Sequence, residues 1–222
     1  MADFPVTFTA IPSVSCLKIP GVGTYEPDQV SKPVAFEEDK HMIEPTSPVF
    51  YDFEASGLHG VAIEIGWAFV DPATKSVVSE SHLIKPADIS ELEKAWDPIA
   101  EDLHGITLST VTKDGRPAFE IAKRMNSVLR GRELFADSPF DETWLMQVFD
   151  AAGLEPEFHI RKYLADLYIQ ERSAQLGILT ATFARLQETA NRLSPQTHRA
   201  EPDARHWATL WLLVSQSAGT SN

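Results

Sequence analysis

The chain has 222 residues, which is enough for one compact domain with its own core and an additional segment. Its net charge of −13 at pH 7 argues against a protein that coats nucleic acid through a broad basic face, although an enzyme that holds only a chain end stays open. No apolar run reaches the roughly 18 residues of a membrane span, and we expect no secretory signal. Because Cys16 is the only cysteine, we expect no intrachain disulfide, no thiolate metal cluster and a reducing, cytoplasmic location.

The N-terminal segment is rich in proline, a residue that lacks the backbone N–H and fixes φ. Seven of the 15 prolines precede residue 49, and this density disfavours regular helices and sheets. We predict that residues 1–47 form an extension that is either disordered or packed over the domain, with a short edge strand as an open alternative. A folded domain is predicted for residues 48–217, followed by a tail at 218–222.

The first three predicted elements of the domain are strands. Val49–Phe53 is a short apolar and aromatic run that leads into a turn at Ala55-Ser56-Gly57. Val61–Val70 is mostly apolar and rich in strand-forming residues, Asp71-Pro72 is a turn signal, and Ser76–Lys85 follows as another strand. This order predicts a three-stranded antiparallel meander.

Helices and strands alternate in the rest of the chain. The predicted elements are a helix at 119–129, a strand at 133–136, a helix at 140–152 ended by Gly153, a strand around 158–160, helix from 163 to about 193 and a last helix from about 202 to 214. Three hairpin strands followed by alternating helices and strands predict an α/β domain with a mixed five-stranded sheet flanked by helices.

Two acidic residues stand close together in the first predicted strand. Side chains alternate along a strand, so Asp52 and Glu54 share one face while Phe53 points to the other. Two buried carboxylates at this spacing are electrostatically costly unless a cation lies between them, and a divalent cation with oxygen ligands would stabilise the pair. The alternative is a solvated pair at a strand edge or in a loop.

Two further segments carry candidate residues. Asp141 follows a predicted strand and opens a helix, where an acid also suits the helix dipole; the nearby Asp137 is interpreted as a turn residue. His198 lies in a predicted loop, and Asp203 lies at the entry to the last helix, where it could be a helix cap instead of a ligand.

Together these segments resemble the DEDDh exonucleases of the ribonuclease H-like fold, a group that includes proofreading subunits of DNA polymerases, oligoribonuclease and ribonuclease T. The first family motif matches Asp52-Phe53-Glu54-Ala55-Ser56-Gly57, the second matches Phe140-Asp141, and the third, His-x4-Asp, matches His198 and Asp203. Leu103–Thr107 resembles the family segment that precedes its first long helix. The resemblance covers residues 48–215, and it departs from the family pattern at Glu201-Pro202.

The resemblance implies a two-metal site for Mg²⁺ or Mn²⁺. Asp52 would bridge two cations about 3.5–4 Å apart, Glu54 and Asp203 would complete the shell of one, and Asp141 would support the other, partly through water. His198 would act as general base, because an imidazole titrates near working pH. The expected reaction is hydrolysis of single-stranded nucleic acid from its 3′ end to nucleoside 5′-monophosphates.

Three more residues are candidates for substrate binding. Leu58 and His59 follow the first motif, where this family often stacks or wedges the terminal base, and Arg199 could contact phosphate. DNA is slightly favoured as substrate, an exoribonuclease is the first alternative, and a non-catalytic nucleic-acid-binding domain of this fold is the second. The expected partners are 3′ ends of single strands and no membrane, and the sequence leaves a homodimer or a larger complex open.

Overall fold

The structure is a computed structural model, and it describes residues 47–219. The extension predicted for residues 1–47 therefore lies outside the described residues except for its last position. The predicted tail begins inside the described part, where residues 218 and 219 still belong to the last helix. Among the described residues, no helix is both long enough and apolar enough to cross a membrane.

The molecule is built on one mixed sheet with the strand order β4-β3-β2-β1-β5-β6. Strands β1 to β3 form the predicted antiparallel meander, β5 and β6 extend it in parallel on the other side of β1, and β4 pairs in parallel with the end of β3. The strands are β1 Val49–Ala55, β2 Ala62–Asp71, β3 Ser76–Lys85, β4 Arg116–Pro117, β5 Glu133–Ala136 and β6 His159–Leu164.

The five predicted strands are present, and the sixth, β4, was not predicted. This strand is only two residues long and contains Pro117 at the edge of the sheet. Proline is tolerated at a sheet edge because no partner needs its missing N–H. A two-residue strand of this kind leaves no period-2 pattern in the sequence.

The helices flank the sheet on both faces. They are α1 Ile89–Lys94, α2 Pro98–His104, α3 Leu108–Asp114, α4 Ala118–Leu129, α5 Asp141–Ala152, α6 Ala165–Gln175, α7 Thr180–Leu193 and α8 Ala200–Gly219. The helix predicted from 163 to 193 is in fact two helices, because Gly177 adopts a left-handed conformation (φ 72°) that ends the first one. The last helix is longer than predicted at both ends.

The two faces of β1 contribute to two separate apolar layers. Val49, Tyr51 and Phe53 lie in the layer formed with α4 and α5. Phe50 lies in the opposite layer, which α6, α7 and α8 cover. Because side chains alternate along a strand, the residues that follow Phe50 at the same parity also face α8.

Helix α8 begins in very close contact with β2. A Cβ atom at Gly66 would lie 2.2 Å from the carbonyl carbon of Ala200, a distance that no side chain tolerates. Glycine at this position therefore lets the first turn of α8 lie directly against the sheet. This contact brings the third acidic segment of the chain to the face of β1 that carries Asp52.

Candidate metal centre

Three carboxylates converge where β1 meets the first turn of α8. Asp52 and Glu54 share the α8-facing side of β1, as their spacing predicts, and Asp203 projects from the first turn of α8. Asp52 and Asp203 are buried, and Glu54 is partly buried. One ligand oxygen of each of the three residues lies within 4.8 Å of the corresponding oxygens of the other two.

Asp141 lies next to this cluster as the first residue of α5, and it is fully buried. Its carboxylate accepts hydrogen bonds from the backbone N–H of Ser138 at 2.7 Å and from the Ser138 hydroxyl at 3.1 Å. The negative charge of Asp141 contributes to raising the pKa of Asp52, after the larger effect of burial. The second predicted motif is thus close enough to Asp52 to belong to the same electrostatic site.

The electrostatics of the cluster oppose ionisation. Burial raises the pKa of Glu54 to about 8, with further contributions from Asp203 and Glu64, and burial raises the pKa of Asp141 to about 7. The pKa values of Asp52 and Asp203 are also raised, again mainly by burial. Neighbouring carboxylates with raised pKa values are typical of sites where a bound cation supplies the missing positive charge.

The donor set fits hard divalent cations. Within the described part of the chain, Asp52 and Glu54 form no side-chain hydrogen bond and no ion pair, so their oxygens are available as ligands. Mg²⁺ and Mn²⁺ prefer oxygen ligands, and carboxylates are the commonest source of these in proteins. Asp203 is already oriented, because its carboxylate accepts hydrogen bonds from the backbone N–H groups of Thr197 and His198 at 2.7 and 3.1 Å.

His198 lies in the loop between α7 and α8, five residues before Asp203. Its side chain is exposed, and its backbone adopts φ 54°, a left-handed conformation that is uncommon for a non-glycine residue. The hydrogen bond from its N–H to Asp203 holds the backbone of the loop against the carboxylate cluster. The imidazole therefore projects from an anchored backbone into solvent beside the site.

Glu64 is a site residue that the sequence analysis did not identify. It is only 2% exposed, and it stands directly opposite Glu54 in the register of β1 and β2. Its carboxylate accepts two hydrogen bonds from the guanidinium of Arg199, at 2.9 and 2.6 Å, and one from the N–H of Ala200 at 3.1 Å. The available signal was an acid inside the apolar run of β2, which requires a buried partner.

The pair with Glu64 changes the interpretation of Arg199. Two of its nitrogens bind Glu64, so its guanidinium links the α7–α8 loop to the sheet. The charge of Arg199 also partly offsets the rise in the pKa of Glu54. A phosphate contact by Arg199 stays a prediction. Its ion pair with Glu64 gives Arg199 a structural role in addition.

Asp137 was interpreted as a turn residue, and the structure gives its carboxylate additional contacts. It accepts a hydrogen bond from the indole N–H of Trp207 at 2.5 Å and one from the side-chain amide of Gln196 at 3.3 Å. Burial raises its pKa to about 6. Asp137 thus connects the end of β5 to α8 and to the loop that carries His198.

Leu58 and His59 lie in the turn between β1 and β2, and both are exposed. They line a shallow cavity of about 320 Å³ whose other wall includes Lys94, Trp96 and Asp97. Leu58 exposes 60% of its surface. The structure therefore places both residues beside an open cavity immediately after the strand of the first motif.

Comparison with solved structures finds the same fold in a bacterial nuclease. E. coli exonuclease I in complex with a dA16 oligonucleotide superposes with a TM-score of 0.56 at 17% sequence identity, over 77% of this chain and 41% of that one. The complex of the same enzyme with a dT13 oligonucleotide gives 0.50 at 16% identity, over 80% and 41% of the two chains. The chain thus spans about two fifths of the length of exonuclease I, and the predicted α/β fold is confirmed. No protein-family model and no curated protein matches the sequence.

Proposed function

We propose that this chain is a divalent-metal-dependent 3′→5′ exonuclease that releases nucleoside 5′-monophosphates from single-stranded nucleic acid. The observation that carries the proposal is the convergence of Asp52, Glu54 and Asp203, with ligand oxygens within 4.8 Å of one another, on the fold of exonuclease I. Asp141, bonded to Ser138 beside them, completes the four carboxylates of the motifs. An ion pair lowers the pKa of its acid, so a structural ion pair would not explain four neighbouring acids, three of them buried, whose pKa values are raised.

Asp52, Glu54, Asp141 and Asp203 would hold two cations, Mg²⁺ or Mn²⁺, with Asp52 as the shared ligand. When bound, the cations supply charge neutralisation at the phosphoryl oxygens and make water a stronger acid. The chain's own contribution is to fix the ligands. Ser138 orients Asp141, and the N–H groups of Thr197 and His198 orient Asp203. Such fixed ligands reduce the reorganisation that the reaction requires.

His198 would accept the proton of the attacking water. Its exposed side chain can approach a bound phosphodiester from solvent, while its backbone stays attached to Asp203. An imidazole is the side chain whose protonation changes most readily near neutral pH. The exposed position also lets the protonated ring return its proton to bulk water after each turnover.

Two observations support single strands as the substrate. The net charge of −13 disfavours a long basic groove that would hold internal stretches of polymer, so we expect most of the affinity to come from contacts near the chain end. E. coli exonuclease I, which shares the fold, has been crystallised with the single strands dA16 and dT13. We propose DNA as the preferred substrate on this ground, with RNA as the alternative, and we propose that Leu58 and His59 contact the terminal nucleoside.

Parallel digestion of single-stranded DNA and RNA of one sequence tests this proposal. Each strand carries either a 5′ or a 3′ label, and the reactions contain magnesium, manganese or EDTA. We expect a ladder of shortening products from the 5′ label, immediate mononucleotide from the 3′ label, and no reaction in EDTA. Cleavage of a circular single strand, or hydrolysis in EDTA, would contradict the proposal. A cytoplasmic location and assembly into a homodimer or a larger complex stay predictions.

A further inference from the structure

Strand β6 leaves its ladder with β5 at one position. Phe135 pairs with Arg161, but the next residue of β5, Ala136, pairs with Leu164, so Lys162 and Tyr163 have no partner in β5. The irregularity lies at the edge of the sheet, since β6 is its last strand on that side. Such bulges redirect side chains and are common beside functional sites.

The two unpaired residues present a free cation and a free aromatic ring. Both are exposed, Tyr163 to 52%. Within residues 47–219, neither side chain forms a hydrogen bond, an ion pair or a ring contact. The neighbouring Arg161 differs, because its guanidinium binds Glu133. Lys162 is therefore the unengaged positive charge of β6, next to an unengaged tyrosine.

These residues line a cleft that also includes Ser138, a neighbour of the carboxylate site. The cleft has a volume of about 450 Å³, and the residues that line it include Lys162, Tyr163, Leu167, Ser138 and Glu142. Ser138 hydrogen-bonds directly to the carboxylate of Asp141. A residue that lines the cleft is thus bonded to a proposed metal ligand.

We propose that Lys162 and Tyr163 bind the single strand upstream of the scissile phosphodiester, Lys162 through a phosphate and Tyr163 by stacking on a base. The inference rests on the proposed function and adds a second contact region to it. β1 and β5 are parallel neighbours, so their C-terminal ends, beside which the cavity and the cleft lie, are at the same edge of the sheet. Asp52 and Glu54 lie near that end of β1, and Asp141 follows β5. Glu142 also lines the cleft and repels phosphate, which favours a path of the strand's backbone beside Lys162.

Steady-state hydrolysis of a dT strand of about 12 nucleotides and of a dT dinucleotide tests this site. For Lys162→Ala combined with Tyr163→Ala, we expect KM for the long strand to rise about tenfold, while kcat and the hydrolysis of the dinucleotide stay near wild type. The matched control combines Lys123→Ala and Phe119→Ala on α4, which are also exposed, Phe119 to 52%. Equal KM values for the test and control variants would overturn the inference.

Binding of the same labelled strand by fluorescence anisotropy separates the two residues. In the His198→Ala background with magnesium, Lys162→Ala should reduce the salt dependence of log Kd by about 0.7, the release expected for one phosphate contact on a single strand. Tyr163→Ala should weaken binding without changing that slope, and Tyr163→Phe should bind the strand as tightly as the protein with Tyr163. If wild type hydrolyses neither strand, the proposed function fails. If wild type nevertheless binds the strand and only the Lys162 and Tyr163 variants lose this binding, the result still supports this site. Binding that these variants leave unchanged overturns it.

Discussion

The two faces of strand β1 have opposite physical characters. Val49 and Phe53 point into the apolar layer under α4 and α5, whereas Phe50 on the other face shares its side with Asp52 and Glu54. Burial of apolar surface stabilises the first face by about 25 cal/mol per Å². The same burial raises the pKa of both carboxylates on the second face. Stability and the proposed chemistry therefore depend on alternate residues of one strand, and substitutions at neighbouring positions should separate them.

Asp52→Asn should have the largest effect on activity and the smallest cost in stability. The substitution removes one negative charge from a group of buried carboxylates that repel one another, so the metal-free protein should unfold at the same temperature or a higher one. Hydrolysis should fall below detection, because Asp52 is the shared ligand in the proposal. Thermal melting measures the stability, and the labelled-strand assay measures the hydrolysis. Retained activity in Asp52→Asn would contradict the two-metal assignment.

His198→Ala should reduce the rate by about 10²–10⁴-fold, the usual contribution of general-base assistance. Metal binding should be nearly unchanged, because the bond from residue 198 to Asp203 uses the backbone N–H, which alanine keeps. Single-turnover rates and manganese titration are the measurements. A rate within a few-fold of wild type would assign the base to another group.

Phe53→Ala is the matched substitution on the other face of β1. Phe53 is buried in the apolar layer, and the loss of such a side chain costs about 3–5 kcal/mol of the free energy of unfolding. Denaturant unfolding measures this cost. In contrast to Asp52→Asn, Phe53→Ala should keep metal-dependent hydrolysis in its folded fraction. A gain in stability for Phe53→Ala would contradict the assignment of this face of β1 to the apolar core.

Arg199→Ala should cost less, about 1–3 kcal/mol, because it leaves the buried carboxylate of Glu64 with its bond to Ala200 alone. Adding Glu64→Gln should recover part of the loss, since it removes the unpaired charge. The guanidinium is nearly half exposed, which places the expected cost below that of a fully buried pair. Urea unfolding of the four members of this cycle gives the coupling between the two side chains, and strict additivity would contradict the pairing.

Stability should depend on pH and metal together. Glu54 and Asp141 have folded-state pKa values of about 8 and 7, above the ordinary value of about 4 for the unfolded chain. The folded state therefore binds protons more tightly than the unfolded chain, and this difference adds to the free energy of unfolding. The added stability is fully present below about pH 4 and is lost as the pH rises through about 7 to 8. Magnesium should restore about 2–3 kcal/mol at a hundredfold excess over its Kd. A magnesium effect on melting that does not grow between pH 5 and pH 8 would contradict this linkage.

The fold and the acidic motifs could be predicted because they depend on local patterns. Alternation along β1 placed Asp52 and Glu54 on one face, and strand and helix signals gave the meander and the alternating elements after it. The position of β5 and β6 beside β1 and the short strand β4 were not predicted. The partnership of Glu64 with Arg199 and the contact of Asp137 with Trp207 join residues far apart in sequence. These contacts follow from the close approach of α8 to β2, which no local period encodes.

The β6 bulge was unpredictable for a different reason. The sequence indicated a strand near residue 160, but the register between β5 and β6 depends on how both strands pack in the whole sheet. A slip of pairing therefore leaves no mark in the pattern of Lys162 and Tyr163. The left-handed conformation of His198 likewise leaves no mark in the local sequence, because it accompanies the hydrogen bond from His198 N–H to Asp203.

Titration of the chain with Mn²⁺, followed by calorimetry at pH 8, is the most direct test of a two-metal centre at these carboxylates. We expect two ions bound per wild-type chain, weaker binding with loss of at least one ion in Asp52→Asn, and retention of both ions in Phe53→Ala. The wild-type chain should hydrolyse the labelled strand over the same range of Mn²⁺ in which the ions bind. Binding that is absent in wild type, or that is identical in wild type and Asp52→Asn, would contradict a metal centre at these carboxylates.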